Sequence, residues 1–211
     1  DRLMADLNLR GGTLTAGAVS VPGLSATSDQ IATSYRSGAW YTSPCGGQGA
    51  VSWAGQQATL IATPLDVGRT VTATALAVNL TVAGAAGSVA RLGIYSDSGD
   101  KAGPGALLID AGTVTTDTPG HREVALSQPL APGRYWLAVI FEGAAPGTVY
   151  TIANPMTPLG TWLGTPHAAR PAGYQKAAVA EGGLPSAWPA GQLIAITTAP
   201  TAGPERKRPK P

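Results

Sequence analysis

Alternation of bulky apolar and smaller positions is clearest between Val71 and Val82. Leu76, Val78, Leu80 and Val82 share one face there, and Ala75, Ala77, Asn79 and Thr81 the other. That pattern predicts a strand with a core face and a small-residue face open to close contact with another sheet or subunit. Shorter β-favouring runs surround it at residues 59–63 (stopped by Pro64), 89–95, 107–111, 113–115, 124–126 and 148–153. Residues 134–140 are apolar almost without interruption after Arg134, which predicts a central strand covered on both faces. An aromatic strand at residues 40–42 opens the series, and a strand at residues 193–197 closes it. Loops rich in Gly, Pro and Asp separate the runs at residues 44–49, 83–88, 96–105 and 129–133. About eight strands spaced about ten residues apart predict an all-β fold, a jelly-roll-like antiparallel β-sandwich with Greek-key connections. Prolines are expected to blunt its edges.

The pattern divides the chain into four parts. Residues 1–37 read as an extended N-terminal arm, whose Leu3, Leu7, Leu9 and Leu14 have no partner within it and must lie against the body or a second subunit. These leucines are the candidate assembly residues. Residues 38–153 carry the sandwich. Residues 154–192 hold many prolines with Trp162, His167, Tyr174 and Trp188 between them, which predicts an ordered loop excursion rather than regular sheet. Residues 193–211 supply the closing strand and a basic tail. The four ring side chains of the excursion have two readings. Sugar C–H faces stack on such rings, with Gln175 and Gln192 placed to bond hydroxyls; alternatively the rings pin the loop to the body.

Composition sharpens this picture. Only 12% of the 211 residues are charged, and there are 28 Gly, 18 Pro and a single Phe. A core of Ala, Val and Leu offers little area per strand, so help from oligomerisation is expected. Four of the 14 basic side chains, and one of the 12 acidic ones, lie in the last seven residues, so the rest of the chain is close to neutral. Nucleic-acid binding by the body is not expected, because phosphate contacts need clustered Lys and Arg. The one cysteine, Cys45, excludes an intrachain disulfide. No apolar run approaches the ~18 residues of a membrane-spanning helix.

Candidate chemistry is sparse. His121 and His167 are the only histidines and neither has a partner at metal spacing. Asp97 and Asp100 share one Gly-rich turn, read as an Asx turn rather than a calcium loop. No catalytic or cofactor residue is assigned, and no enzyme is expected. In residues 130–133, Leu-Ala-Pro-Gly, a tight turn should deliver Tyr135 and Trp136 straight into a sheet. Gly93 should leave room for a ring such as Trp136 or Tyr135 to cross over it, and Tyr95 and Trp136 read as packing residues.

Five pieces in order carry a resemblance: Arg91-Leu92-Gly93-Ile94-Tyr95, the Asp/Gly turn Ser96-Asp97-Ser98-Gly99, Pro104-Gly105-Ala106-Leu107-Leu108, Asp110-Ala111-Gly112-Thr113-Val114, and Leu130-Ala131-Pro132-Gly133-Arg134-Tyr135-Trp136-Leu137-Ala138; the turn Thr118-Pro119-Gly120 and the strand Glu123 to Leu126 between the last two also fit. With the opening Trp40-Tyr41, they are similar to a β-sandwich module of phage minor tail and tail-fibre proteins, over roughly residues 38–153. The resemblance implies a structural virion component, a homotrimer contacting other tail proteins and a host-surface glycan, without cofactor. The Ala/Gly/Pro/Arg bias fits a GC-rich actinobacterial host. The rivals are a carbohydrate-binding module of a secreted bacterial protein and a phage head-decoration protein.

Overall fold

The computed structural model describes residue 35 and residues 38–41, 50–99, 103–153, 173–189, 194–196 and 198–200. Eleven strands and no helix are found among them. In chain order they are β1 (Ala50–Ala54), β2 (Leu60–Val67), β3 (Val71–Val82), β4 (Val89–Asp97), β5 (Pro104–Thr115), β6 (Gly120–Leu130), β7 (Gly133–Glu142), β8 (Thr148–Ala153), β9 (Gly173–Lys176), β10 (Ile194–Ile196) and β11 (Thr198–Pro200). The proposed arm, with Leu3, Leu7, Leu9 and Leu14, lies outside the described residues, as do Trp162 and His167.

Two antiparallel sheets pack face to face as a β-sandwich. One has the order β1-β8-β3-β6, with β11 also on β8; the other has the order β10-β9-β2-β7-β4-β5. The pairings nest: β4 with β5, β3 with β6, β2 with β7, and β1 with β8. Because β1 pairs along residues 148–152, β11 takes the edge of β8 that β3 leaves after Val149.

Between the sheets, Leu76, Val78 and Leu80 of β3 meet Ile61 and Leu65 of β2, Leu92 and Ile94 of β4, and Val139 and Phe141 of β7, all buried in one cluster. Trp53 of β1 closes onto Phe141, ring centres 6.0 Å apart. Burying each such side chain stabilises the fold by about 1.5–3 kcal/mol. A register shift between Ala73 and Ala75 moves the buried set of β3 from Val71 and Ala73 to Leu76, Val78 and Leu80. Ala75 and Ala77, on the small-residue face, are buried too.

Several elements differ from the expectation. Trp40 and Tyr41 lie in irregular chain, and the first strand among the described residues is β1, ten residues on. Their rings contact His121 and Tyr35 instead, so β-favouring composition marks an aromatic contact here and not a ladder. Residues 107–111 and 113–115 form one strand, β5. Leu92 pairs with Gly112 and Gly93 with Asp110, which leaves Ala111 as an extra residue beside Gly112 at φ +96°. Pro64 does not stop β2. It lies past Ala62, the last residue paired with β9, so among the described residues only β7 pairs with the strand there. Pro129, expected in a turn, sits within β6, the edge strand of its sheet, where a missing N–H is tolerated. The excursion expected to lack sheet contributes β9, which joins β2 and β10.

Candidate functional site

The chain leaves two groups of aromatic and charged side chains outside the sandwich interior, one on each outer face. On the β2–β7–β4 face, register places Leu60, Ala62 and Pro64 beside Ile140, Ala138 and Trp136, and these beside Arg91, Gly93 and Tyr95. These residues point away from the interior, yet Leu60, Ala62, Trp136, Ala138, Ile140 and Tyr95 are all buried. Residues 177–188, downstream of β9, run across them as a strap, burying Val179 and Leu184. This is why residues 134–140 needed no polar face: the strand is covered by the other sheet on one side and by the strap on the other.

The strap is fastened along its length. Val179 N–H donates to the Ala58 carbonyl at 2.9 Å, Leu107 N–H to Ser186 at 2.9 Å, and Trp188 N–H to Gly105 at 2.8 Å. Ala106 and Ala187 form a bridge, so the strap also caps the outer edge of β5. Side chains add a second set of ties. Arg91 Nε donates to Glu142 Oε1 at 2.9 Å and its Nη1 lies 3.3 Å from Asp110 Oδ2. The same two carboxylates accept the strap's amides, Gly182 N–H on Glu142 Oε1 and Leu184 N–H on Asp110 Oδ2, each at 3.2 Å. The hydrogen bond to Glu142 raises the Arg91 guanidinium above its usual range. At the far end of the face Arg134 grips Asp66 through two bonds, 2.8 and 3.1 Å.

Between these charged ends lie four rings. Tyr95 and Trp188 meet edge to face at 5.7 Å, and Trp136 and Tyr174 tilt together at 5.4 Å. Trp136 Nε1 donates to Asp97 Oδ1 at 3.0 Å, and the Tyr95 hydroxyl donates to the Pro185 carbonyl at 2.8 Å. Burial holds the Tyr95 phenol well above its usual pKa, with the Asp110 charge adding to it. Two of the four rings proposed for glycan stacking, Tyr174 and Trp188, are placed against the sheet by these contacts. Tyr95 and Trp136 are packing residues as expected. The group above Gly93 is not a ring: a Cβ there would strike Leu184 of the strap and come within 2.6 Å of the Ile109 carbonyl oxygen. Asp97 Oδ2 accepts the Gly99 amide at 3.2 Å, an Asx turn.

The second group lies on the outer face of the β8–β3–β6 sheet. Asn79 pairs in register with His121. The neighbouring pair Leu80–Val149 is turned inward, which puts Asn79 and Tyr150 on the outer side. Trp40 stands edge to face on His121, centres 4.8 Å apart at 70°. His121 Nε2 is 3.0 Å from Glu123 Oε2. Trp40 keeps 38% of its surface exposed and Tyr150 40%, against complete burial of Tyr95 and Trp136. The sequence marked Trp40 only as part of an opening aromatic strand and His121 only as a histidine without a partner at metal spacing. Their meeting is long-range and left no local signal.

Among the described residues no three His, Cys, Asp or Glu side chains gather as a metal site, and no helix is long and apolar enough to cross a membrane. Compared with known proteins, the chain matches no family model, no curated protein and no solved structure.

Proposed function

We propose that this chain is a non-catalytic jelly-roll module of a phage tail, a minor tail or tail-fibre protein that works by assembly and by binding a host-surface glycan. The observation that carries the reading is where the resemblance pieces fall. Residues 91–95 are β4, residues 104–108 and 110–114 are β5, and residues 132–138 lead into and form β7, with β4 paired directly to both neighbours. Most of the pieces, scattered over 48 positions of the chain, therefore fall in one contiguous three-stranded block, which supports their descent as a unit, while residues 123–126 lie in β6 of the other sheet. The nested pairing of β1 through β8 favours a jelly roll over other sandwich wraps.

Light scattering of the full chain tests the assembly reading. A mass three times that of the chain, constant across micromolar concentrations, is the expected result; a monomer throughout that range would overturn the trimeric fibre reading. A carbohydrate-binding module is the second reading, favoured by the exposed indole of Trp40.

A further inference from the structure

The aromatic strip under the strap is closed to ligands, and its charged ends are occupied by each other and by strap amides. The exposed group on the opposite face is arranged differently. Trp40 is held by the His121 ring, and His121 is held by Glu123 two residues along the same face of β6. A ring braced in this way loses little further freedom when something stacks on it, which is the main entropic cost of binding at a surface aromatic. Around it stand hydrogen-bonding groups still available: the Trp40 indole N–H and the Asn79 amide make no hydrogen bond to a described residue, and the second oxygen of Glu123 is not used by His121. Both His121 and Glu123 keep about half their side-chain surface exposed, 48% and 51%.

We infer that Trp40, Asn79, His121 and Glu123 form a saccharide-binding site, taking a neutral pyranose whose C–H face lies on the indole while its hydroxyls bond the amide, imidazole and carboxylate. The chemistry separates this from other occupants. An anionic ligand is disfavoured by Glu123, and the nearby Arg122 is turned to the carbonyls of Thr118 and Pro119. A cationic ligand would want several rings around it, whereas one indole stands here and the adjacent carboxylate already pairs with His121. Donors and acceptors in mixed company beside a single flat apolar surface match a sugar, which presents the same mixture. One stacking residue gives weak intrinsic affinity, with Kd on the order of 1 mM. Several copies in one particle would strengthen it by multivalency.

The inference deepens the surface-binding part of the proposed function and is independent of the assembly part, which light scattering decides alone. The experiment is binding of the full chain to arrayed neutral, sialylated and sulfated oligosaccharides, repeated with Trp40→Ala, Asn79→Ala and Trp188→Phe and with choline chloride as competitor. Each variant is first shown to retain the wild-type far-ultraviolet spectrum. The expected result is binding to one or more neutral oligosaccharides, weakened about tenfold or more by Trp40→Ala and by Asn79→Ala, unchanged by Trp188→Phe and insensitive to choline. A blank array for the unaltered chain overturns the site while leaving assembly untouched. So does binding that survives Trp40→Ala, binding confined to charged glycans, or displacement by choline.

Discussion

Tyr95 shows how a single side chain ties the strap to the sheet. Its ring is buried and its hydroxyl donates to the Pro185 carbonyl. Tyr95→Phe should lower stability by about 1–2 kcal/mol, because a half-buried carbonyl loses its donor; denaturant unfolding measures this. Burial disfavours the phenolate in the folded state only, so this contribution is intact below the unfolded pKa of about 10 and is lost as pH rises beyond it. The difference between wild type and Tyr95→Phe should therefore shrink, and then reverse, in alkaline solution. Ultraviolet titration of the folded chain, wild type against Tyr95→Phe, should show the Tyr95 phenol ionising at higher pH than it does in the unfolded chain. Arg91 is the other tie. Arg91→Met leaves the largely covered Glu142 carboxylate, and the more exposed Asp110 carboxylate beside it, without their cation, at a cost of about 2 kcal/mol. Amide exchange at Gly182 and Leu184 should quicken in that variant, since their acceptors are then better solvated.

At the scale of elements, the strap and the sheet beneath it act as one layer. Gly93→Val should displace Leu184 and crowd the Ile109 carbonyl, destabilising by about 1–3 kcal/mol. If the strap folded independently of the sheet, thermal melting of that variant would match wild type. Trp188→Ala and Tyr174→Ala should each lower the melting temperature without altering saccharide binding, because both rings pack on the sheet. Strand content was legible where alternation was regular, as in β3, or where the run was wholly apolar, as in β7. It was less legible where a backbone irregularity interrupts the pattern. Gly112 looked like a break between two pieces and is the hinge of one strand's bulge. Pro64 and Pro129 looked like terminators, yet each lies where the ladder asks for fewer N–H donors, a property of the neighbouring strands and not of the residue.

For the whole molecule, the most protected amides should lie in β7, β4 and β2, which have neighbours on both edges and cover on both faces; β6 and residues 177–188 should exchange faster, as hydrogen exchange will show. By itself the sequence determined the class of the fold. Period-two alternation, dense Gly and Pro punctuation and the absence of helical spacing in the body admit a sandwich of antiparallel strands, because each strand must bury one face and turn sharply at its ends. It also pointed to a doubly covered central strand, since residues 134–140 expose no polar side. What covers that strand was decided only in three dimensions. The answer lies about 40 residues away, in a Pro-rich stretch whose local pattern resembles a loop. The same is true of the aromatics. Nothing local distinguishes Trp188 from Trp40, but strap closure buries one against Tyr95 while the register of β3 and β6 sets the other in solvent on His121. Composition records which side chains have surface to bury; contacts between distant segments decide which of them are left to bind.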